Sequence, residues 1–471
     1  MVIRVELRWI AEALKNVGED VDDPGEGCVE GVSIDTRSGC AGALFVALKG
    51  ECSDGHSYLT EAVERGAAAL LVSRKRRSEA ESAAGGLPVF SVGETLLGLQ
   101  ALAASYRERV GPRVVAVTGS TGKTGTKDMI AGILARRFKV HATPGNLNNH
   151  IGLPLTLLGM EGEEDVLVAE MGANHKNEIS RLASIAKPEI GVVTNIGPCH
   201  LEFFGSLAGV AEAKAELVEA LTPAGTAVLP ADDEFFCFLR ERTSARVVSF
   251  GLSEASDWRI GDIEVGNGGG YRFTIGSHPM RIARYGRHNI LNAAAAATVG
   301  FLLEVPPETV AEALAGVGAA DGRGILYDVG GILVADESYN ANPDSIRAAV
   351  DGFVEIPVSG KRWLVIGDML ELGDHSIKLH AEVGVHCGRA GVDGIFTLGA
   401  ETVELSRAAA AQRRAPGAIS HFLGVETLAE YLNGLLSEGD AVLVKGSRGM
   451  HMERVIEELE RLRSTARRRV D

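Results

Sequence analysis

Between Thr118 and Thr124 the chain reads Thr118-Gly119-Ser120-Thr121-Gly122-Lys123-Thr124, residue types that suit a polyphosphate. Glycines let backbone wrap closely around phosphate oxygens, and a helix starting there offers unpaired N–H groups and the positive end of its dipole. Lys123 then neutralises the β- and γ-phosphates, and the Thr124 hydroxyl is a ligand for Mg²⁺. The spacing departs from the common phosphate-loop pattern, because Val117 stands where G-x-x-x-x-G-K has its first glycine. A plain strand-to-helix turn is the bland alternative; a strand pattern before the loop and a helix pattern after it favour ATP. The motif says nothing of what receives the phosphoryl group.

Three other groups suit metal-assisted phosphoryl transfer. Glu170 ends an apolar run in Ala169-Glu170-Met171-Gly172-Ala173, and open α/β sheets gather ligands at the carboxyl ends of their strands. It reads as a Mg²⁺ carboxylate or as a solvated strand end. His200, in Asn195-Ile196-Gly197-Pro198-Cys199-His200-Leu201-Glu202, reads equally as metal ligand or structural histidine. Lys214 sits on the apolar stripe Leu207, Val210, Lys214, Leu217, Val218, Leu221. Burial there lowers an ammonium pKa and frees the amine. Such an amine can capture carbon dioxide and become a carbamate, an anionic ligand for a second Mg²⁺. The plainer reading is a lysine whose head snorkels past its stem.

These groups need elements to hold them. Val114 to Thr118 is a strand pattern, and Thr124 to Phe138 carries Met129, Ile130, Ile133, Leu134 and Phe138 at helical spacing. With strands expected at Asp165 to Ala169 and Ile190 to Thr194, the middle of the chain is a parallel-sheet α/β unit. Apolar runs at Ile332 to Ala335, Trp363 to Ile366, Gly394 to Leu398 and Ala441 to Val444 predict a second, Rossmann-like open sheet. The first hundred residues form a smaller α/β unit with strands at Leu44 to Leu48 and Ala67 to Val72. Gly111-Pro112 and Asp321-Gly322-Arg323-Gly324 punctuate the pattern as linkers. The expected fold is thus α/β with three domains, 1–110, 111–320 and 321–471.

A chain of 471 residues, 45% hydrophobic and 23% charged, fits three globular domains. Its 47 basic against 63 acidic residues, a net charge of −16, argue against a nucleic-acid partner. The basic run Arg461 to Arg469 reads as a solvated tail. Met1 to Val21 has a helical rhythm without the apolar core of a signal peptide, and the run Ala293 to Leu303 is a close-packed helix too short to span a bilayer. Cys28, Cys40, Cys52, Cys199, Cys237 and Cys387 contain no C-x-x-C pair and read as reduced thiols without structural metal. A cytoplasmic monomer is expected.

Together, Gly119 to Lys127, the Glu170 strand end, His200-Leu201-Glu202 with Ala213-Lys214-Ala215-Glu216, and His288-Asn289-x-x-Asn292 resemble the Mur ligase superfamily over nearly the whole chain. Tyr339-Asn340-Ala341-Asn342-Pro343-Asp344-Ser345, Gly367-Asp368-Met369-Leu370-Glu371-Leu372-Gly373 and Lys445-Gly446-Ser447-Arg448 are similar to its D-alanyl-D-alanine-adding branch. The Asp-Asn-Pro-Arg tetrapeptide of the branch adding the third amino acid is absent.

The resemblance implies ATP-dependent ligation of that dipeptide to UDP-N-acetylmuramoyl-tripeptide through an acyl phosphate. ATP and two Mg²⁺ ions would be bound. Gly119, Ser120, Thr121, Gly122, Lys123, Thr124 and Gly125 would hold the phosphates, and Thr124 with Glu170 the first metal. His200 and a carbamoylated Lys214 would serve the second. Lys123, His200 and Lys214 would be catalytic. Asn289 and Asn292 would hold adenine, and Arg323 and Asp336 would close on ATP. Asn146 and Asn149, in Pro144-Gly145-Asn146-Leu147-Asn148-Asn149, match a segment near the reacting groups. Ser33, Asp35, Arg37, Asp54 and His56 resemble the UDP-sugar site. Tyr339, Asn340, Ser345, Lys445, Ser447 and Arg448 fall on the dipeptide or ATP side, although Asn342 can also cap a helix beginning at Pro343. The third residue of the peptide stays open between diaminopimelate and lysine. Rival readings are the tripeptide synthetase, a folylpolyglutamate synthase, or a regulatory ATPase that forms no amide.

Overall fold

A computed structural model describes residues 4–19, 21–50, 53–266, 269–318 and 322–470. Asp321 of the second expected linker, the domain boundary beside it, and Cys52 lie outside the described residues.

The largest sheet has nine strands. At its centre Arg113–Thr118, half of it Val and buried beyond its first residue, pairs in parallel with Val166–Glu170 on one side and Ile190–Val193 on the other. From Arg113–Thr118 the chain moves outward to Val140–Ala142, returns through Val166–Glu170, and then crosses to Ile190–Val193. Strand order therefore reverses beside Thr118, and ligands of open α/β sheets bind in such crevices. Thr226–Pro230, Arg246–Gly251 and the start of Trp258–Val265 continue the parallel pairing, and the sheet then changes direction. Trp258–Val265, Tyr271–Ile275 and His278–Ile282 extend it as an antiparallel meander. These strands carry charged residues at most of their exposed positions, which is why the sequence pattern did not separate them from loops.

Helices cover both faces. Lys123–Leu134 packs through Met129, Ile130 and Ile133 against His288–Leu302, the helix that carries the alanine run. Residues Ala293 to Ala297 are fully buried, and a Cβ on Gly300 would stand 2.8 Å from Ile133 Cγ2. Small side chains bring these two helices close together.

The C-terminal sheet has seven strands. Ile332–Glu337, Ala441–Lys445, Arg362–Gly367, Gly394–Leu398 and Ala418–Phe422 are parallel, whereas Ile325–Val329 runs antiparallel to Ile332–Glu337. The basic segment is exposed as expected but is not an unstructured tail: Arg461 belongs to the helix Glu453–Leu462, and Arg468–Arg469 forms an edge strand opposite Asp328 and Tyr327. The Arg467 guanidinium lies 5.0 Å from the centre of the Tyr327 ring. An arginine's apolar plane on an aromatic face recruits the segment to the sheet.

The N-terminal residues form a four-stranded parallel sheet, Val32–Ser33, Leu44–Val46, Ala69–Ser73 and Val89–Val92, beside a separate pair of strands. Within the helical rhythm expected at the start, Arg4–Glu6 is a strand paired with Cys28–Glu30, and the helix runs only over Leu7–Lys15. Helix Thr95–Val110 ends at Gly111, whose φ of 67° terminates it and releases the chain into the central strand. Among the described residues no helix is long and apolar enough to cross a membrane.

Candidate active site

Every strand that ends near the crevice delivers a polar group. Gly119 follows the central strand with φ 144°, and a Cβ there would sit 1.9 Å from Thr194 Oγ1, so only glycine fits. Gly122, with φ 77°, opens the helix Lys123–Leu134, and its Cβ would meet Asn292 Oδ1 at 2.4 Å. The loop is also held from the neighbouring strand end. Asn195 Oδ1 accepts from Thr121 N–H at 2.9 Å and its amide donates to Thr121 Oγ1 at 2.6 Å. Ser120 Oγ donates to Gly197 O at 2.9 Å. Lys123 folds over the loop, its ammonium donating to Gly119 O at 2.7 Å. Burial lowers its pKa, opposed by the field of Glu170.

Thr124 Oγ1 donates to Glu170 Oε2 at 2.7 Å, and Asn148 Nδ2 donates to Glu170 Oε1 at 2.8 Å. Hydroxyl and carboxylate oxygens in contact beside a phosphate loop are a donor set for a hard divalent cation. Asn148 was not singled out in the sequence; its neighbour Asn149 instead accepts from Ile151 and Gly152 N–H and starts the helix Gly152–Leu158.

Lys214 is 1% exposed on the helix Leu207–Glu219. Its ammonium makes no hydrogen bond or ion pair with any described residue and lies 5.6 Å from the centre of the Phe204 ring. Burial brings its pKa down to about 8, with Lys123 repelling it further. Of the two sequence readings, the lysine head reaching solvent is the one this burial disfavours. His200 caps the short helix Leu201–Phe204 in a left-handed conformation, φ 50°, and its Nδ1 meets the Glu371 carboxylate of the C-terminal sheet unit.

One cleft of roughly 450 Å³ collects most of these groups. Ser120, Thr121, Gly122, Lys123, Gly125, Asn146, Asn149, Glu170, His200, Asn289 and Asn292 line it from the central unit. Arg323, Tyr339, Asn340, Ser345 and Lys445 line it from the other side. Gly119, Thr124 and Lys214 lie behind the lining. Arg323 stacks on Tyr339, its guanidinium carbon 3.8 Å from the ring centre. Asn289 Nδ2 donates to Tyr285 O at 2.8 Å. Arg284, whose Nε is buried without a hydrogen-bond partner, also faces the cleft.

On the C-terminal side the residue facing the cleft is Glu337, whereas Asp336 is turned beneath it. Asp336 Oδ1 accepts from Ser338 N–H and Oγ, and burial raises its pKa. Glu337 Oε1 accepts from Tyr285 OH at 3.0 Å, and Lys445 Nζ stands 3.3 Å from its Oε2. Strand alternation separates the two carboxylates, a difference of one position that motif matching alone did not decide. Asn342 caps the helix Pro343–Glu355 in a reciprocal capping box with Ser345. Ser447 donates to Ala341 O at 3.2 Å and Arg448 N–H to Asn340 Oδ1 at 3.2 Å, so both hold the Tyr339 to Ser345 segment from outside the lining.

The N-terminal residues stand apart. Ser33, Asp35, Arg37, Asp54 and His56 do not line the cleft. Asp35 binds the Arg37 guanidinium at 2.8 Å, and His56 Nδ1 meets Asp54 at 2.6 Å while its Nε2 accepts from Ser73 N–H at 2.9 Å. These contacts shape two turns of the small sheet.

Comparison with known proteins identifies the family. Residues 29–107 match the model "Mur ligase family, catalytic domain", 117–300 "Mur ligase middle domain", and 322–448 "Mur ligase, glutamate ligase domain". The chain is 39% identical to the UDP-N-acetylmuramoyl-tripeptide--D-alanyl-D-alanine ligase of Escherichia coli (strain K12), covering 92% of this chain and 94% of that one. It is 36% identical to the Bacillus subtilis (strain 168) protein of the same name, covering 92% and 93%. A crystal structure of MurF from Acinetobacter baumannii superposes with a TM-score of 0.88 at 30% identity, covering 98% of this chain and 99% of that one. The MurF ligase of Thermotoga maritima in complex with ADP gives 0.80 at 29% identity, covering 92% and 97%. The chain belongs to the Mur ligase family of ATP-dependent ligases.

Proposed function

We propose that the cleft joins D-alanyl-D-alanine to UDP-N-acetylmuramoyl-tripeptide with conversion of ATP to ADP and phosphate, a step of peptidoglycan precursor synthesis in the cytoplasm, carried out by a monomer of three domains, 1–110, 111–320 and 321–471. The observation that carries this is the facing of Lys123, Glu170 and His200 by Arg323, Tyr339 and Asn340 across one cleft. The names of the relatives in Escherichia coli and Bacillus subtilis support the choice of substrates.

A carboxylate does not condense with an amine at neutral pH, because its oxygen is a poor leaving group. Transfer of the γ-phosphoryl group to the peptide carboxylate gives an acyl phosphate; the dipeptide amine attacks its carbonyl carbon, and phosphate departs. Side chains have little covalent work in such a transfer, so positioning and charge carry it. The glycine loop and Lys123 hold the triphosphate, Asn289 and Asn292 face the base, and Arg323 and Glu337 meet the nucleotide from the C-terminal side. Thr124 and Glu170 would hold one Mg²⁺. His200 and Lys214, once carbamoylated, would hold a second. When bound, Mg²⁺ offsets repulsion between the triphosphate and the incoming carboxylate. Tyr339, Asn340 and Ser345 are assigned to the dipeptide side, and Ser33, Asp35, Arg37, Asp54 and His56 to the uridine end of the nucleotide substrate.

The test is phosphate release with UDP-muramoyl-tripeptide, ATP and Mg²⁺, with and without D-alanyl-D-alanine. Dipeptide-dependent release is expected. Release driven instead by diaminopimelate or lysine on a dipeptide precursor would replace this reading with the tripeptide synthetase.

A further inference from the structure

The signature segment Gly367 to Gly373 lines no part of the cleft, yet it is held firmly. The Asp368 carboxylate accepts from the backbone N–H of Glu401 at 3.1 Å and Thr402 at 2.8 Å. Met369 N–H donates to the buried His380 Nε2 at 3.0 Å, and Leu370 N–H to Ser447 Oγ at 2.9 Å. At its tip Glu371 adopts φ 63°, a left-handed conformation that costs about 1–2 kcal/mol for a residue with a side chain. Its partner across the boundary, His200, has φ 50° and is left-handed too.

Two non-glycine residues in strained backbone thus meet side chain to side chain. The contact is doubled by backbone: Glu202 N–H donates to Glu371 O at 3.1 Å, and Gly373 lies so close that a Cβ would stand 3.2 Å from Glu202 Cα. The pair is 25% and 42% exposed, so as an ion pair it adds little stability. Its value lies in orientation. Nδ1 is the ring nitrogen turned to Glu371, and a carboxylate only accepts, so Nδ1 supplies the hydrogen of the contact. Nε2 is left as the free ring atom of a residue that lines the cleft.

We propose that Glu371 is the positioning residue of His200: the seating of the C-terminal unit on the central unit holds the His200 ring through Nδ1 and leaves Nε2 without a hydrogen bond to any other described side chain. The site is complete only when the two units are docked. The inference rests on the role assigned to His200 above.

Full-length E371A and E371Q are compared with wild type by steady-state phosphate release and by ring ¹⁵N spectra, with H200Q used to assign the His200 signals. E371A should lower kcat roughly ten- to a hundredfold, with KM for ATP changed less than about twofold. Its His200 ring signals should move as Nδ1 loses its acceptor. E371Q, whose carbonyl still accepts from Nδ1, should return the ring signals toward wild type and recover much of kcat. Unchanged ring signals in E371A overturn the proposal, with or without lost turnover, and so do changed ring signals with wild-type kcat. If the wild-type chain forms no amide, the ligation reading fails, while the ring spectra still decide what Glu371 does.

Discussion

Thr124 and Glu170, 46 positions apart, share a hydrogen bond of 2.7 Å at the ends of neighbouring parts of the central sheet. The register that places Val117 opposite Glu170 brings the first turn of the phosphate-loop helix over that carboxylate. Sheet pairing, rather than local sequence, therefore builds the phosphate end of the site.

Lys123 has no carboxylate partner within the loop; its ammonium rests on carbonyls that a triphosphate can outcompete. K123A should reduce ATP-dependent phosphate release by at least about a hundredfold. Normal turnover in a stopped phosphate assay would remove the loop from the mechanism.

Gly122 has both a left-handed backbone and a close neighbour, Asn292 Oδ1. G122A should destabilise the fold by about 1–2 kcal/mol from the backbone alone. ADP affinity measured by calorimetry should fall as well, because a Cβ displaces Asn292. A variant with unaltered melting temperature and affinity would contradict that geometry.

For Lys214 the pKa of about 8 lies below the unfolded value, so between pH 8 and about 10.5 the unfolded chain binds more protons and stability rises with pH. Below that window burial of the charge costs on the order of 3 kcal/mol. K214M should therefore melt higher than the uncarbamoylated wild type at pH 7, with the gap closing by about pH 10.5. Parallel melting curves across that range, taken under carbon dioxide-free buffer, would refute the burial.

The same low pKa leaves roughly a quarter of the amine neutral at pH 7.5, against about a thousandth for an ordinary lysine. K214A should be nearly inactive and partly rescued by a small added carboxylate. Full activity without rescue would eliminate the carbamate.

Glu337 joins Tyr285 of the central unit to Lys445 of the C-terminal strand. E337A should raise KM for ATP about tenfold while leaving buried Lys445 short of its carboxylate partner, which costs stability as well. Unchanged KM would place the nucleotide elsewhere in the cleft.

Much of the frame was legible because strands such as Gly394–Leu398 and Ala441–Lys445 are continuous apolar runs, as strands covered on both faces must be. The meander Trp258 to Ile282 was not, since many of its strand positions are polar and glycine-rich turns separate the strands. The edge strand Arg468–Arg469 is all arginine, and only its contact with Tyr327 and Asp328 reveals it. In the site, the phosphate loop stood out by residue type and by the strand and helix patterns around it, whereas Glu170 and Lys214 each kept a plain structural alternative until their burial and contacts were seen. Asn148, Glu337 and Glu371 did not stand out, because each gains meaning from a partner far along the chain.

The alanines of His288–Leu302 act as a gauge. With side chains ending at Cβ, they set how near the phosphate-loop helix comes to Asn289 and Asn292. Enlarging one of them, as in A295L, would wedge the two helices apart and widen the floor of the cleft without adding an atom to its lining.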